Sequence, residues 1–451
     1  RDWSSDVCSS DPNEFQFGKA KNGIPGDAPP ANSPYYRSVS KIDIPLLYPK
    51  ADPIGLIPNF SFGGTAGAGI PTAMTTFAGL PYANANPIYN VTDNVTWIRG
   101  NHTFKVGFFA EHAVKVESPF RPYNANIVFD QDSANPGDTG WAFANALLGN
   151  FQRYDQFSRQ VLVKAPYWNV EYYGQDTWKV TKKLTVNYGL RVNHVPPLFE
   201  ESNAFTNFDP KKYDPAKRVA LYQPATLNGA ARARNPITGE LAPALLVGAI
   251  VPGSGNPSNG IVRAGQDGTP KGLIDNRGPQ WGPRIGLAYT LTPKTVVRTG
   301  GGIFFERIAT SATGYTTNFL PNPPDVQLSQ IYYGNVSQIG GSAGTLFPLQ
   351  VVRLSEDGMV PTTYNYNFSI QRDLPMHILL DVAYVGSQSR HLTEFAPFNA
   401  LPFGSAWLPQ NQNPTAATQN LDGSNALLPN LYRPYAGFSG GQSAEIGRAH
   451  V

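Results

Sequence analysis

Charged side chains are scarce in this sequence. They make up 15% of its 451 residues, whereas they form roughly a quarter of a typical soluble protein. Lysine and arginine number 35 and aspartate and glutamate 32, which gives a formal net charge of +3. So balanced a charge does not supply the basic surface that nucleic acid requires, and we expect no nucleic-acid partner.

Long apolar runs are also missing. A transmembrane helix requires about 18 or more consecutive apolar residues. The nearest candidate, residues 241–251, is shorter and contains Pro243. The sequence therefore argues against membrane-spanning helices, but it does not exclude a membrane, because the strands of a β-barrel give a much weaker hydropathy signal.

The two ends of the chain match each other at the level of DNA. Residues 6–11 read DVCSSD and residues 446–451 read IGRAHV. The second string back-translates to ATC GGA AGA GCA CAC GTC, and the reverse complement of that DNA encodes the first string. We therefore predict that residues 1–11 and 445–451 derive from a sequencing adapter.

This interpretation has two consequences. Residues 12–444 are expected to be a fragment that is truncated on both sides, so the lack of a signal peptide is uninformative. Cys8, the one cysteine of the chain, falls in the predicted adapter segment. The protein itself is then expected to have no disulfide and no thiol chemistry.

Signatures of catalysis and of cofactor binding are missing as well. No GxSxG, HExxH or Walker-type motif occurs, and no two histidines have the spacing of a zinc site. Residues 253–260 lack the spacing and the strand–loop–helix context of a nucleotide loop. Calcium ligands are conceivable at four loop carboxylates that we expect to be solvated instead: Asp209, Asp214, Asp267 and Asp275. We expect no catalytic site, no metal, no cofactor and no enzyme.

Aromatic residues, by contrast, are abundant at 12%, and they recur with the period of a β-strand. Residues 167–194 read YWNVEYYGQDTWKV, then TKK, then LTVNYGLRVNH. Apolar and polar residues alternate in both arms, which predicts two strands with one apolar and one polar face, joined by a tight turn at 181–183. Each arm matches the roughly 9–11 residues that cross a bilayer at a tilt.

Three further hairpins are predicted from the same alternation at residues 90–116, 281–305 and 363–387. Very short turns alternate with very long connections rich in proline, glycine and asparagine, as in barrels that place long loops outside the cell. The predicted fold class is therefore all-β, a large antiparallel transmembrane β-barrel, of which residues 12–444 form a part. Residues 12–87 are predicted to form a long external loop with some short strands, and 196–280, 307–361 and the chain beyond 391 to form further loops. A short helix or apolar patch is predicted at 141–149, and a strand at 151–164 that leads into the central hairpin.

The alternation assigns residues to the two faces of the barrel wall. The lipid-facing wall is predicted to contain Trp97, Phe104, Val106, Trp168, Tyr172, Trp178, Val186, Tyr188, Leu190, Leu287, Tyr289, Val382 and Tyr384. The opposite parity, which meets lumen water or a plug, is predicted to contain Lys105, Glu111, Glu171, Gln175, Arg191, Arg284 and Gln371.

Four stretches in combination resemble TonB-dependent outer-membrane receptors. Residues 168–193, WNVEYYGQDTWKVTKKLTVNYGLRVN, are similar to the barrel motif aqDtWkvt.rLtlnyGlR of that family. Residues 93–111, 281–307 and 366–392 are similar to further barrel segments of its Oar-like subgroup, which carries a carboxypeptidase-regulatory-like module before its plug. The four stretches occur in the order that the family has.

The resemblance implies a barrel of about 22 strands that is plugged by an N-terminal domain and lies in the outer membrane. It implies three partners: outer-membrane lipid, the TonB complex through an N-terminal region missing here, and a bulky extracellular substrate for import. The sequence does not choose among a siderophore, a glycan and a peptide. Three alternatives stay open: a passive porin-like channel, an extracellular β-sandwich adhesin that binds glycan, and a secreted β-propeller enzyme, which the uneven loop lengths disfavour.

Overall fold

The computed structural model describes residues 13–25, 28–63, 73–74, 83–117, 121–160, 162–307, 327–354, 357–417 and 422–446. Cys8 lies outside these residues, as do the two predicted adapter segments except for residues 445 and 446. Part of the connection predicted at 307–361 also lies outside them.

Nine antiparallel strands form the largest sheet, which we call the wall, and each strand pairs with the next along the chain. The two edge strands, the first and the ninth, do not pair with each other among the described residues, so the wall is an open part of a barrel. The strands are β1 (Asn13–Pro25), β2 (Ala83–Arg99), β3 (His102–Glu117), β4 (Val163–Lys179), β5 (Leu184–His194), β6 (Gln280–Thr292), β7 (Thr295–Phe305), β8 (Thr362–Leu374) and β9 (Ile378–Arg390).

The four short turns of the wall have the local chemistry of tight hairpins. Gly100 has a φ of +60°, which lets the chain reverse between β2 and β3. Between β4 and β5 the Thr181 hydroxyl accepts hydrogen bonds from the N–H groups of Lys183 and Leu184, at 3.1 and 3.0 Å. These turns all lie at one end of the wall, and the long connections all lie at the other.

The first strand of the wall corrects a loop prediction. Residues 12–87 are predicted to be a long external loop with only short strands, but β1 pairs with β2 over its whole length, from Asn13 opposite Val95 to Pro25 opposite Ala83. The prolines that suggested a loop lie mostly after β1. In β1 itself Phe15 and Phe17 alternate with polar residues, which fits one further strand on the wall.

A second sheet lies on the long-connection side of the wall, and we call it the loop-side sheet. Its order is Leu328–Asn335, Asn150–Phe157, Asn126–Val128, Asn59–Ser61, Ala73–Met74. The strand expected to lead into the central hairpin therefore belongs to another sheet, where it pairs with Leu328–Asn335 and Asn126–Val128. The short helix or apolar patch predicted at 141–149 is a helix at Ala142–Leu148, and a one-turn helix occupies Arg37–Ser40.

An aromatic core holds the loop-side sheet together. Phe151 and Tyr154 are fully buried, and Phe62 stacks on Phe129 and Phe143 with ring centroids 5.9 and 4.7 Å apart. The Tyr154 hydroxyl donates to Gln156 at 2.7 Å and accepts from the N–H of Leu47 at 3.1 Å. Each buried aromatic side chain removes much apolar surface from water. The loop-side sheet, which is built from three of the long connections, is therefore a folded module.

The segment predicted as a structureless loop at 196–280 is also folded. Its strands Thr206–Phe208 and Ile261–Arg263 pair with each other, and Gln223–Leu227, Ala230–Arg234 and Leu241–Pro243 form a three-stranded sheet. Beyond residue 391, Thr393–Phe398 pairs with Gly441–Ile446, which also pairs with Val352–Leu354. Two apolar clusters, around Phe205 and around Phe208, bury parts of these connections.

Short 3-10 helices complete the described secondary structure. They occupy Pro49–Ala51, Pro210–Lys212, Pro215–Lys217, Ala244–Leu246, Val336–Gly341, Pro375–His377, Ser405–Trp407, Pro409–Asn411 and Pro429–Tyr432. Within the part of the chain that the structure describes, no helix has the length and hydropathy to span a membrane.

Removal of one core ring tests whether the loop-side sheet is a cooperative unit. We expect Phe151→Ala to lower its free energy of unfolding by about 3–5 kcal/mol, because a cavity replaces a fully buried ring. Phe403→Ala, at a side chain 96% exposed, is the matched control and is expected to change little. Thermal unfolding and limited proteolysis measure the effect, and equal losses in both variants would contradict this description.

Two aspartates predict a pH dependence of the same module. The Asp132 carboxylate accepts from the N–H of Ala134 at 3.0 Å, and the Asp138 carboxylate from the side-chain amide of Asn145 at 2.6 Å. These hydrogen bonds are the largest causes that lower the pKa of each carboxyl below its ordinary value of 3.8. A carboxyl whose pKa is lowered in the folded state stabilises the fold at pH values above its ordinary pKa of 3.8. This contribution is lost as the pH falls from there through the folded-state pKa.

We therefore expect the wild type to be more stable than the Asp132→Asn, Asp138→Asn double variant at pH 7. The difference should shrink as the pH falls below about 4, where the unfolded carboxyls bind protons. Thermal unfolding of both proteins from pH 7 to pH 3 measures it. A difference that stays constant with pH would show that the two carboxylates do not contribute as ions.

Candidate functional site

The two faces of the wall differ in chemistry along every strand. Directly paired residues of an antiparallel sheet lie on one face, so a continuous row can be followed from Phe104 through Asp176, Tyr188 and Ile285 to Gly301. The registers contain one irregularity, at Thr290–Thr292 next to a turn. Alternation is therefore kept across the whole sheet.

One face, which we call the apolar face, carries large hydrophobic side chains that are exposed. Trp97 is 55% exposed, Tyr172 60% and Val382 60%. A β-sandwich would pack such a face against a second sheet. All residues of the predicted lipid-facing set lie on this face: Trp97, Phe104, Val106, Trp168, Tyr172, Trp178, Val186, Tyr188, Leu190, Leu287, Tyr289, Val382 and Tyr384.

The other face, which we call the polar face, carries the predicted lumen-facing set. Lys105, Gln175 and Arg284 share one register row, interrupted by Gly189. The remaining members are Glu111, Glu171 and Arg191, which lie nearer the long connections, and Gln371, which lies apart from the others in the row of Val296 and Asp381. These side chains are all partly covered, whereas most of the apolar face is exposed.

Charges on the polar face pair with each other and with aromatic rings. The guanidinium of Arg191 donates to the Glu171 carboxylate at 2.5 Å and lies 5.3 Å from the centroid of the Tyr173 ring. Arg284 lies 4.4 Å from the ring centroid of Phe304. All three pairings join side chains of neighbouring strands on one face, and so they fix the polar face as a unit.

A second cluster ties the polar face to the long connections. The amide of Asn169 donates to Glu111 at 2.7 Å and accepts from Arg307 at 2.6 and 2.9 Å. Arg307 also donates to the backbone carbonyls of Trp168 and Pro196, both at 2.6 Å. Sequence reasoning missed Arg307, Asn169 and Tyr173, because their roles depend on strands that are distant in the chain.

A buried carboxylate interrupts the apolar face. Asp176 is 3% exposed, and its Oδ2 atom accepts from the Tyr188 hydroxyl at 2.9 Å and lies 2.6 Å from Nδ1 of His102. The His102 ring stacks on Phe104 and Trp178, with centroids 5.5 and 5.3 Å apart. The alternation in the sequence places residue 176 on the apolar face. It does not indicate the hydrogen-bond partners of Asp176, which come from other strands.

The apolar face also contains a groove of about 920 Å³. Val106, Leu190, Ile303 and Tyr364 border it. The groove is deep at Gly174 because this residue has no side chain. A Cβ atom at this position would contact only the side chain of Val106, at 3.9 Å. The groove is thus a thin region of the wall next to Asp176.

Two of the loop carboxylates that were weighed as calcium ligands cap short helices. Asp209 and Asp214 each begin a 3-10 helix, where the side chains accept hydrogen bonds from the N–H groups of Lys211 and Ala216. Among the described residues, no group of histidine, cysteine, aspartate or glutamate has a geometry that could hold a metal ion.

The sequence profile of the family described as outer membrane beta barrel domain matches residues 9–448. The chain belongs to this family. The protein is therefore located in the outer membrane, and the wall is part of an outer-membrane β-barrel. A comparison with curated proteins finds no significant match.

Several solved structures resemble this barrel domain at low sequence identity. The copper transporter OprC is 10% identical, with a TM-score of 0.30, over 70% of this chain and 32% of the other. The ferric-catecholate import receptor Fiu from E. coli K12 is 11% identical, with a TM-score of 0.31, over 69% and 32%. The CymD monoaromatic hydrocarbon channel is 8% identical, with a TM-score of 0.24, over 71% and 65%. The barrel domain thus spans about a third of the length of the first two structures.

A pair of matched substitutions tests which face of the wall meets lipid. Leu190 lies on the apolar face and Asn187, three residues earlier, on the polar face. We expect Leu190→Arg to destabilise folding in bilayers by about 2–4 kcal/mol, because a charge on the lipid face near the midplane loses its hydration. Asn187→Arg is expected to cost much less. Equal costs in equilibrium unfolding from liposomes would refute the assignment of the faces.

Proposed function

We propose that this barrel domain is part of a TonB-dependent receptor that binds a bulky substrate on its long-connection side and imports it. The observation that carries the proposal is the combination of two chemically distinct wall faces with a strict asymmetry of the connections. All described short turns lie at one end, and folded long connections lie at the other. The similarity of residues 168–193 to the barrel motif of these receptors supports the same conclusion.

The proposal orients the wall in the membrane. Outer-membrane barrels have short periplasmic turns and long extracellular loops. The turns at 99–102 and 179–184 would then face the periplasm, and the loop-side sheet would face the outside of the cell. The apolar face meets lipid, and the polar face meets the lumen or a plug domain.

The pairing on the polar face suits a surface that another domain covers. A charge that is buried without a partner costs far more than one that is paired and hydrogen-bonded. Glu171 accepts from Arg191, Glu111 accepts from the Asn169 amide, and Arg307 donates to the oxygen of the same amide. A plug could therefore lie against these groups at a lower desolvation cost than against unpaired charges.

Folded long connections suit a receptor. A recognition surface that is ordered before binding loses less conformational entropy when the substrate arrives. The aromatic core around Phe151 and Tyr154 gives the loop-side sheet such order. The substrate class stays open among a siderophore, a glycan and a peptide, and the TonB complex is a proposed partner.

Membership of the Oar-like subgroup is the finer part of the proposal. It depends on the similarity of residues 93–111, 281–307 and 366–392 to barrel segments of that subgroup. It implies a carboxypeptidase-regulatory-like module ahead of the plug, which sequencing across both ends of this locus would find or exclude.

Ion conductance distinguishes a plugged receptor from a passive channel. The intact gene product in planar bilayers is expected to conduct little, because a plug blocks the lumen, and deletion of the plug should open a large, stable pore. Arg191→Gln on the polar face should raise the leak of the intact protein, since it removes the partner of Glu171. Lys212→Gln makes the same charge change at an exposed loop position and serves as the control. An intact protein that conducts as an open pore would favour a porin-like channel.

A further inference from the structure

The short turns form a rim that the proposed function does not explain. We define the short-turn rim as residues 99–102, 179–184, 292–295 and 372–378, which lie together at one end of the wall. The rim borders the apolar face directly, since Trp178 and Arg99 are both paired with His102.

The short-turn rim is strongly basic. It contains one carboxylate, Asp373, whereas lysine and arginine barely exceed aspartate and glutamate in the whole chain, at 35 to 32. None of its lysines and arginines forms an ion pair with a carboxylate within the described residues. These six exposed side chains are Arg99, Lys179, Lys182, Lys183, Lys294 and Arg372.

Exposed apolar and aromatic side chains accompany the cations. The guanidinium of Arg99 lies 5.7 Å from the ring centroid of Trp97. Trp97 is 55% exposed, Met376 84% and Ile378 49%. Amphipathic rings beside long cationic side chains are characteristic of the boundary between hydrocarbon and headgroups.

The cations are spread along a line and do not form a pocket. Successive turns join pairs of strands, and strands of a sheet lie about 4.8 Å apart, so neighbouring turns are roughly 10 Å apart. A single small anion could contact only one or two turns. A surface that carries many anionic groups could contact all four.

We propose that the short-turn rim binds anionic phospholipid headgroups, of the phosphatidylglycerol type, in the leaflet that borders it. The rim is continuous with the exposed apolar face of an outer-membrane protein, so lipid headgroups are its nearest neighbours. Lysine and arginine side chains next to an anionic leaflet each add to the attraction, and clusters of four to eight are sufficient for recognition. This inference goes beyond the proposed transport function and does not depend on it.

Lipid enrichment tests the proposal. The intact protein is reconstituted in nanodiscs of phosphatidylethanolamine with a minor fraction of phosphatidylglycerol, and the lipids that stay bound after mild delipidation are quantified by mass spectrometry. We expect phosphatidylglycerol to be enriched about threefold or more over its bulk fraction at low salt, and less at high salt because salt screens the charges.

Two quadruple variants localise the effect. Arg99→Gln, Lys182→Gln, Lys183→Gln and Lys294→Gln together should reduce the enrichment to the bulk fraction. Lys50→Gln, Lys212→Gln, Lys217→Gln and Lys271→Gln make the same net charge change at exposed positions on the long-connection side and should preserve it. Replacement of Lys182, Lys183 and Lys294 by arginine should also preserve the enrichment, which would show that charge is what matters.

Three outcomes would overturn the proposal. The wild type could show no enrichment, or the rim variant could keep it. Both quadruple variants could also lose it equally, which would indicate that the overall charge alone causes the enrichment. Loss of a co-purifying acidic protein from the rim variant, with lipid enrichment unchanged, would assign the rim to a protein partner instead. Lipid enrichment and ion conductance are separate measurements. Failure of this proposal is therefore distinguishable from failure of the proposed receptor function.

Discussion

The backbone hydrogen-bond ladder of the wall is the constraint on which the rest of the structure depends. In hydrocarbon every N–H and C=O group must find a partner within the protein, and neighbouring strands supply it. The registers run without a slip from β1 to β9 except at Thr290–Thr292, beside a turn. A shift of one residue would move every side chain to the opposite face, so the ladder also fixes the chemistry of both faces.

Two faces with unlike chemistry then determine where charge can be tolerated. On the polar face, Arg191 and Glu171 satisfy each other, and Arg307 connects strand β4 to the chain beyond β7. On the apolar face the buried carboxylate of Asp176 is held by His102 and Tyr188. Six cations without an ion-pair partner among the described residues lie at the short-turn rim, where solvent and headgroups can hydrate them. Charge is scarce in the sequence because much of the wall has no place for it.

The connections follow a different physical rule from the wall. Their backbone groups can reach water, so they need no continuous ladder, and they fold by burying rings such as Phe151 and Phe208. Proline, glycine and asparagine end strands frequently there, which is why the pieces are short. The result is a set of small packed modules on the side where a receptor would meet its substrate.

Period-two alternation and short turn signals were sufficient to determine, from the sequence alone, the fold class and the four hairpins around residues 90–116, 167–194, 281–305 and 363–387. Those signals are local, because the alternation of apolar and polar side chains lies within each single strand. Four features required the tertiary structure: the pairing of β1, the loop-side sheet at Asn150–Phe157, the cluster of Arg307 with Asn169, and the partners of Asp176. Each of these features includes a contact between residues that are far apart in the chain. The local period of a strand does not indicate which distant strand will supply the partner.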